Sequence, residues 1–235
     1  MESEKTVMTN LKVRFASYNI FHGGRADYDM SKIAKNITEN DIDIVGIQEV
    51  DIGTLRSGGL DTLKELSVAT GYSYYAFFKT IDFDGGEYGI AVLSRYPIAM
   101  SEKIFLESGD SEQRALGLTQ IDIDGNRINF FVTHLTFRNV EVRKAQLSEL
   151  SRILSQKSAF VLVGDFNTCE LGAIDEMSSV ERINKLECPI VTFPEDNLSI
   201  DNILYDKKNW NFGMINVVTD SYSDHYMIWA EAELN

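Results

Sequence analysis

The chain has 235 residues, 44% apolar and 11% aromatic, which excludes a disordered or fibrous protein and is enough to bury a substantial core. Lysine and arginine number 22 against 36 aspartates and glutamates; the formal net charge of −14 disfavours extended duplex binding, because proteins that grip long nucleic acids present a basic face. No apolar run approaches the ~20 residues of a membrane span, and the two cysteines, Cys169 and Cys188, permit one disulfide that their spacing does not demand.

Met1 to Asn10 is polar and lacks the apolar core of a signal peptide, so it reads as a flexible N-terminus ahead of one domain over residues 11–235, with a cytoplasmic location and a monomer as the expectation. Leu11 to Tyr18 alternates as a strand. Asp29 or Ser31 is placed to cap a helix carrying Met30, Ile33, Ala34 and Ile37. Ile42 to Ile47 is a short β-branched strand of the buried kind, ending at Gln48-Glu49. Asp61 to Thr70 is a second amphipathic helix, stopped by Gly71. Tyr74 to Phe78 and Tyr88 to Leu93 are strands, and Asp82 to Glu87 between them is a loop by its glycines. Ile98 to Phe105 is a strand, and Arg114 to Ile123 with Arg127 to His134 forms a hairpin across Asp124-Gly125. Glu141 to Gln156 is the longest helix, with Ala145, Leu147, Leu150, Ile153 and Leu154 near its apolar face. Phe160 to Gly164 is a buried strand, Glu170 to Asn184 is weakly helical, and Ser199 to Tyr205, Asn211 to Val218 and Met227 to Glu233 complete the strands. Many strands and few helices predict two sheets packed face to face with helices outside.

Polar clusters punctuate these runs. Glu49 is either a Mg²⁺ ligand, since hard cations prefer oxygen, or a solvated strand-end glutamate. In Gly164-Asp165-Phe166-Asn167 the two polar side chains share a direction if the segment is extended; an Asx-rich turn is the alternative. Asp201 sits in a strand too apolar for a free charge, and His225 is its natural partner. His225 beside Asp224 can act as acid, base or phosphate contact, or be a surface pair. His134, at a strand end, is placed to protonate a leaving oxygen or to pack at a sheet rim. Arg114 suits a bidentate phosphate contact. Arg95 reads as a turn residue or a structural ion pair; Tyr88 lines a pocket or joins the core; His22 is a loop residue expected to touch substrate.

In order, Asn19, Gln48-Glu49, His134, Asp165 with Asn167, Asp201 and Asp224-His225 resemble the residue set of the endonuclease/exonuclease/phosphatase family, and the resemblance runs through nearly all of the chain. Glu49-Val50-Asp51 followed by Thr54, Arg56 and Ser57, with Gly86-Glu87-Tyr88-Gly89 and Leu93-Ser94-Arg95-Tyr96-Pro97, is similar to the small bacterial metal-dependent hydrolases of that family. Ser17-Tyr18-Asn19 departs from the Thr-Trp-Asn start of tyrosyl-DNA phosphodiesterases. The resemblance implies an α+β, four-layer αββα sandwich of two mostly antiparallel sheets and a dependence on Mg²⁺ or Mn²⁺. It implies metal ligation by Glu49 and Asn19, with Asp224 beside them, catalysis by His134, Asp165, Asn167, Asp201 and His225, and substrate contacts from Arg114 and Asn167; Tyr88 and His22 are expected at the substrate from their places in the chain. The expected activity is a phosphodiesterase acting on a small or lipid-derived phosphoester. A nuclease of the same fold and an inactive binding protein are the alternatives.

Overall fold

The computed structural model describes residues 11–235; the stretch read as a flexible N-terminus lies outside the described residues. In chain order the strands begin with β1 (Lys12–Asn19), β2 (Ile44–Ile52), β3 (Tyr74–Phe83), β4 (Gly86–Ser94), β5 (Ile98–Phe105) and β6 (Ala115–Ile123). They continue with β7 (Asn126–His134), β8 (Phe160–Asp165), β9 (Val180–Arg182), β10 (Asp201–Asp206), β11 (Trp210–Val218) and β12 (Met227–Leu234). The helices are α1 (Met30–Glu39), α2 (Thr62–Thr70) and α3 (Val140–Leu154).

Alternation decides which layer each side chain enters. Val13 and Phe15 of β1 join a buried cluster with Phe130, Val161, Val163 and Ile228, whereas Ala16 and Tyr18 join Ile33, Ile37 and Leu66. On β8, Val161 and Val163 face the first cluster while Phe160 and Leu162 pack with Leu147 and Leu150 of α3. Strands covered on both faces must lie in the middle layers, with helices outside. The result is a four-layer α+β sandwich. One sheet has the order β11-β12-β1-β2-β4-β3 and the other β5-β6-β7-β8-β10-β9. The pairs β1–β2 and β7–β8 are parallel, each joined by a crossover helix (α1 and α3), and the other named pairs are antiparallel.

The caps follow the sequence chemistry. The side chain of Asp29 accepts from Ser31 N at the start of α1, that of Asp61 accepts from Lys64 N at the start of α2, and Gly71 ends α2 with φ 74°. Three expectations are corrected. The segment from Asp82 to Glu87 is not an open loop: β3 and β4 meet across Asp84-Gly85, both at positive φ (47° and 80°), the two-residue turn that matches strand twist. The stretch from Glu170 to Asn184 forms only a 3-10 turn at Gly172–Ile174 and the short β9, because Gly172 takes φ 52° and interrupts the helical pattern. On α3, Ala145 is exposed and Gln146 is buried, where it accepts from Thr136 N (3.0 Å) and donates to Glu107 O (2.8 Å). Cys169 and Cys188 are free and exposed, and Arg95 is structural, bonded to Tyr72 and Asp43. Among the described residues no helix is long and apolar enough to cross a membrane.

The two sheets touch most closely beneath one rim. A Cβ added at Gly46 of β2 would lie 2.2 Å from Val163 Cγ2 and 2.9 Å from Val132 Cγ2. Gly46→Ala is therefore expected to destabilise the fold by about 1–3 kcal/mol through overpacking. Urea unfolding at constant m-value measures this, and a loss below ~0.5 kcal/mol would show that the sheets separate easily there.

Candidate active site

Topology brings the polar clusters to one rim. The parallel pairs β1–β2 and β7–β8 deliver strand ends at Asn19, His134 and Asp165, and the antiparallel neighbours deliver strand beginnings at Asp201 and just before Met227. Asp201 is the register partner of Asp165. Phase sets the direction: Asn19 follows Val13 and Phe15 in alternation, Asp165 follows Val161 and Val163, and His134 follows Phe130 and Val132, all inter-sheet positions. These polar side chains thus emerge where the inter-sheet core meets solvent. A cavity of about 420 Å³ opens there, with walls that include Glu49, Tyr88, Arg114, His134, Asp165, Asn167, Asp224 and His225; Asn19 and Asp201 are buried and do not line it.

Glu49 reaches this cavity only through a backbone irregularity. The register of β2 with β4 shifts between Ile47 and Val50, and Glu49 has φ 60°. Val45 and Ile47 face the helices, and so does Val50, so the alternation changes phase across the bulge. Regular pairing would have sent Glu49 toward the helices with Val45 and Ile47; the bulge turns it to the inter-sheet rim. A left-handed non-glycine residue costs on the order of 1–3 kcal/mol, a strain that bulges hold at functional sites. β2 accordingly continues past Glu49 to Ile52 rather than ending there.

The two sheets are joined at the rim by Asn19. Its Nδ2 donates to Glu49 Oε1 (3.2 Å) and to Asp165 Oδ2 (3.1 Å), while Oδ1 accepts from Phe21 N (3.0 Å). Its oxygen is turned toward Phe21 N, so in this structure Asn19 holds the acidic groups together through its NH₂. Asp165 also accepts from Asn167 N through Oδ1 (2.9 Å), and Asn167 takes φ 53°. The segment is thus an Asx turn that still presents both side chains to the cavity, with Phe166 buried beneath.

The two histidines are held in opposite states. His225 Nδ1 lies 2.8 Å from Asp201 Oδ2, and Nε2 lies 3.6 Å from Asp165 Oδ2. Burial disfavours its cation, but the charges of Asp201 and Asp165 and the bond to Asp201 outweigh it and hold the imidazole at about 10. His134 is likewise buried, yet its nearest cation is Arg114, whose Nη1 lies 3.0 Å from Nδ1. Burial first, then Arg114 and His225, push it well below the ordinary imidazole range. Because Arg114 can only donate, Nδ1 accepts and the proton sits on Nε2, which faces Asp165 Oδ2 at 3.5 Å. A neutral imidazole so held is a hydrogen-bond donor. Burial, then the charge of Asp201, pushes Asp165 up to about 7.

The donor set fits a hard divalent cation. Burial, and after the bond from Asn19 the charge of Asp224, raises the Glu49 carboxyl; among the described residues neither Glu49 nor Asp224 forms an ion pair. Two carboxylates that share a cavity and form no ion pair of their own are oxygen donors of the type Mg²⁺ and Mn²⁺ take. Asp165, Asp201 and His225 also bring ligand atoms within 4.8 Å of one another. There both ring nitrogens of His225 already face carboxylates, so this trio reads as a proton-sharing chain.

Tyr88 is buried and lines the cavity as well as the core. His22 does not join the lining: it packs between Phe21 and Tyr28, with Nδ1 3.4 Å from the Tyr28 hydroxyl. Glu112, which pairs with Arg114 at 3.0 Å, and the wall residues Phe137, Phe193, Asp196 and Leu198 were not anticipated. They lie in loops with no local motif; the one signal was an acidic residue two before Arg114.

In metal-free protein, ring ¹⁵N chemical shifts are expected to show His225 cationic at pH 8 and His134 neutral and Nε2-protonated at pH 6. Because the folded value of His225 (about 10) exceeds its ordinary 6.5, the stability from its pair with Asp201 is fully present below about pH 6.5 and is lost as pH rises through about 10. A neutral His225 at pH 8, or no loss of melting temperature across that window, would contradict the pairing.

The sequence profile of the Endonuclease/Exonuclease/phosphatase family matches residues 16–225. Among solved structures, an endonuclease/exonuclease/phosphatase from Beutenbergia cavernae superposes with TM-score 0.78 at 20% identity, covering 95% of this chain and 72% of that one. A mannosyl-6-phosphatase from Bacteroides thetaiotaomicron gives 0.75 at 18% identity, covering 95% and 99%. The human Nocturnin catalytic domain, with bound sulfate, gives 0.74 at 20% identity, covering 97% of each. With its rim of carboxylates and imidazoles on a four-layer sandwich, this chain belongs to the endonuclease/exonuclease/phosphatase family of phosphoester hydrolases.

Proposed function

We propose that the protein is a Mg²⁺- or Mn²⁺-dependent phosphodiesterase that hydrolyses a small or lipid-derived phosphoester by in-line attack of water. The observation that carries this reading is the single cavity in which Glu49, Asp165 and Asp224 stand opposite Arg114, His134 and His225. A divalent ion held by Glu49 and Asp224 supplies charge neutralisation for the phosphate and its leaving oxygen.

The protein's own groups do the rest. Arg114 is buried and lines the cavity, so its guanidinium is placed to meet a phosphate oxygen. His134 Nε2–H and the imidazolium of His225 add further donors. Fixed donors in a site with little water stabilise the charge that develops on the phosphoryl oxygens at small reorganisation cost. Asp165 is poised as the base: a carboxyl near 7 is ionised enough to take a proton from water and basic enough to do it well. His225, held cationic by Asp201, is no base in this arrangement; it binds phosphate and keeps Asp165 oriented. Asn167 anchors its own amide on Leu135 O (3.0 Å) and so fixes the loop beside the attacked phosphorus.

The net charge of −14 supports small phosphoesters over nucleic acid. The test is p-nitrophenol release from bis-p-nitrophenyl phosphate and p-nitrophenyl phosphate with Mg²⁺ or Mn²⁺, against EDTA. Metal-dependent turnover favouring the diester is expected. A monoester preference would make the protein a phosphatase, and cleavage of single-stranded DNA above both would favour the nuclease reading. Glu49→Ala and His225→Ala are each expected to lower kcat/KM at least about a hundredfold while the far-ultraviolet spectrum stays native. Near-normal turnover in either variant would refute the site.

A further inference from the structure

One buried ion pair stands beside the rim without entering the cavity. Asp51, two residues past Glu49 on β2, is fully buried. Its carboxylate accepts from Arg56 Nε (2.6 Å), Arg56 Nη2 (2.8 Å) and Thr54 Oγ1 (2.7 Å), and its carbonyl accepts from Thr62 Oγ1 (2.7 Å). Arg56 is clamped in turn: its amide donates to Asp84 Oδ2 (2.7 Å), and its guanidinium lies over the Phe83 ring at 4.5 Å. The run Glu49-Val50-Asp51 with Thr54 and Arg56, conspicuous in the sequence, thus closes on itself around one carboxylate.

That carboxylate decides the phase of β2 past its bulge. Ile47 pairs with Ala91 and Val50 with Gly89, so β2 carries one extra residue between them. Val50 consequently shares the helix-facing layer with Leu63 and Leu66, while Asp51 falls on the opposite face, across from Tyr88. In a regular strand Glu49 and Asp51 have the same phase as Val45 and Ile47, and a one-residue slip would turn both carboxylates toward the helices. A carboxylate buried in that apolar layer without donors is costly. Arg56 and Thr54 offer their donors only on the rim side. Buried ion pairs add little net stability, and their best-attested use is to fix register. Here the register fixed is the one that turns Glu49, at φ 60°, into the cavity, a backbone conformation that its surroundings must hold.

Resting on the reading of Glu49 as a ligand to a divalent cation, we propose that Arg56 is a positioning residue: by neutralising and orienting Asp51 it locks the shifted phase of β2 and so keeps Glu49 aimed into the catalytic cavity. Arg56 is not a wall of that cavity and acts through Asp51.

Position and charge predict opposite signs. The charges of Arg56 and Glu49 act on each other, so loss of the guanidinium would by attraction alone tighten the binding of a cation, whereas loss of the lock weakens it. Mn²⁺ binding is measured without substrate, from the electron paramagnetic resonance signal of the free ion. The proteins compared are the wild type, Glu49→Ala, Arg56→Gln and the paired variant Asp51→Leu with Arg56→Met. Glu49→Ala reports the binding of other surface carboxylates. The paired variant leaves no unpaired buried charge and is expected to keep a native melting profile; it decides the outcome where Arg56→Gln fails to fold. Arg56→Gln and the paired variant are each expected to weaken Mn²⁺ binding at least about tenfold, as loss of a group that orients a metal ligand does. Affinity within about twofold of the wild type in the paired variant, or tighter binding by Arg56→Gln, would overturn the positioning role and leave the metal site intact. No Mn²⁺ binding by the wild type, or equal binding by Glu49→Ala, would overturn the metal reading itself, and the positioning role with it.

Discussion

The site depends on one carboxamide. Asn19 carries acidic groups of both sheets on a single NH₂, Glu49 from its own sheet and Asp165 from the other. Carboxylates repel and are costly to desolvate, so a rim that gathers them has no reason to close unless donors stand between them. Asn19 supplies those donors and is itself fixed by Phe21 N and, through its carbonyl, by Ser223 Oγ (2.7 Å). Ser223 also accepts from His225 N (3.2 Å), so one short chain of bonds ties β1, the bulge in β2, the end of β8 and the segment before β12.

Around that clamp, chemistry is divided by neighbours rather than by residue type. The two cavity histidines differ because Nδ1 of one meets Asp201 and Nδ1 of the other meets Arg114. Burial disfavours the cation in both; only the carboxylates reverse it. The same division separates Asp201, which is spent on His225, from Asp165, which shares its oxygens among Asn19, the amide of Asn167 and the cavity. A cationic imidazole and a carboxyl raised to about 7 thus stand side by side.

The loops around the rim are held in a different way. The candidate site groups sit at strand ends and on a bulge, where two packed sheets over-determine their positions. The neighbouring walls come from loops, Arg56 after β2, Phe83 at a hairpin and Glu112 between β5 and β6, and they are held by side-chain bonds to Asp51, Asp84 and Arg114. Loops of this kind can change without disturbing the sandwich.

Periodicity alone was enough to place most strands and the three helices, because alternation and helical spacing follow directly from backbone geometry; the caps at Asp29 and Asp61 and the stop at Gly71 were readable for the same reason. The polar residues that end up on the rim, apart from Glu112 and Asp196, were also visible, since a carboxylate or imidazole at the end of an apolar run is conspicuous. The sequence by itself therefore determined the layers and the chemical inventory. Only the tertiary structure decided what each group does. Nothing local reveals that β2 bulges at Glu49, because the phase change appears only against β4. Nothing local shows that Asn19 gives its amide protons to Glu49 and Asp165, that His134 looks at a guanidinium, or that Glu112 and Phe83 share a cavity. These depend on contacts between residues far apart in the chain, and an imidazole's charge or a carboxamide's orientation is a property of its neighbours, not of its place in the sequence.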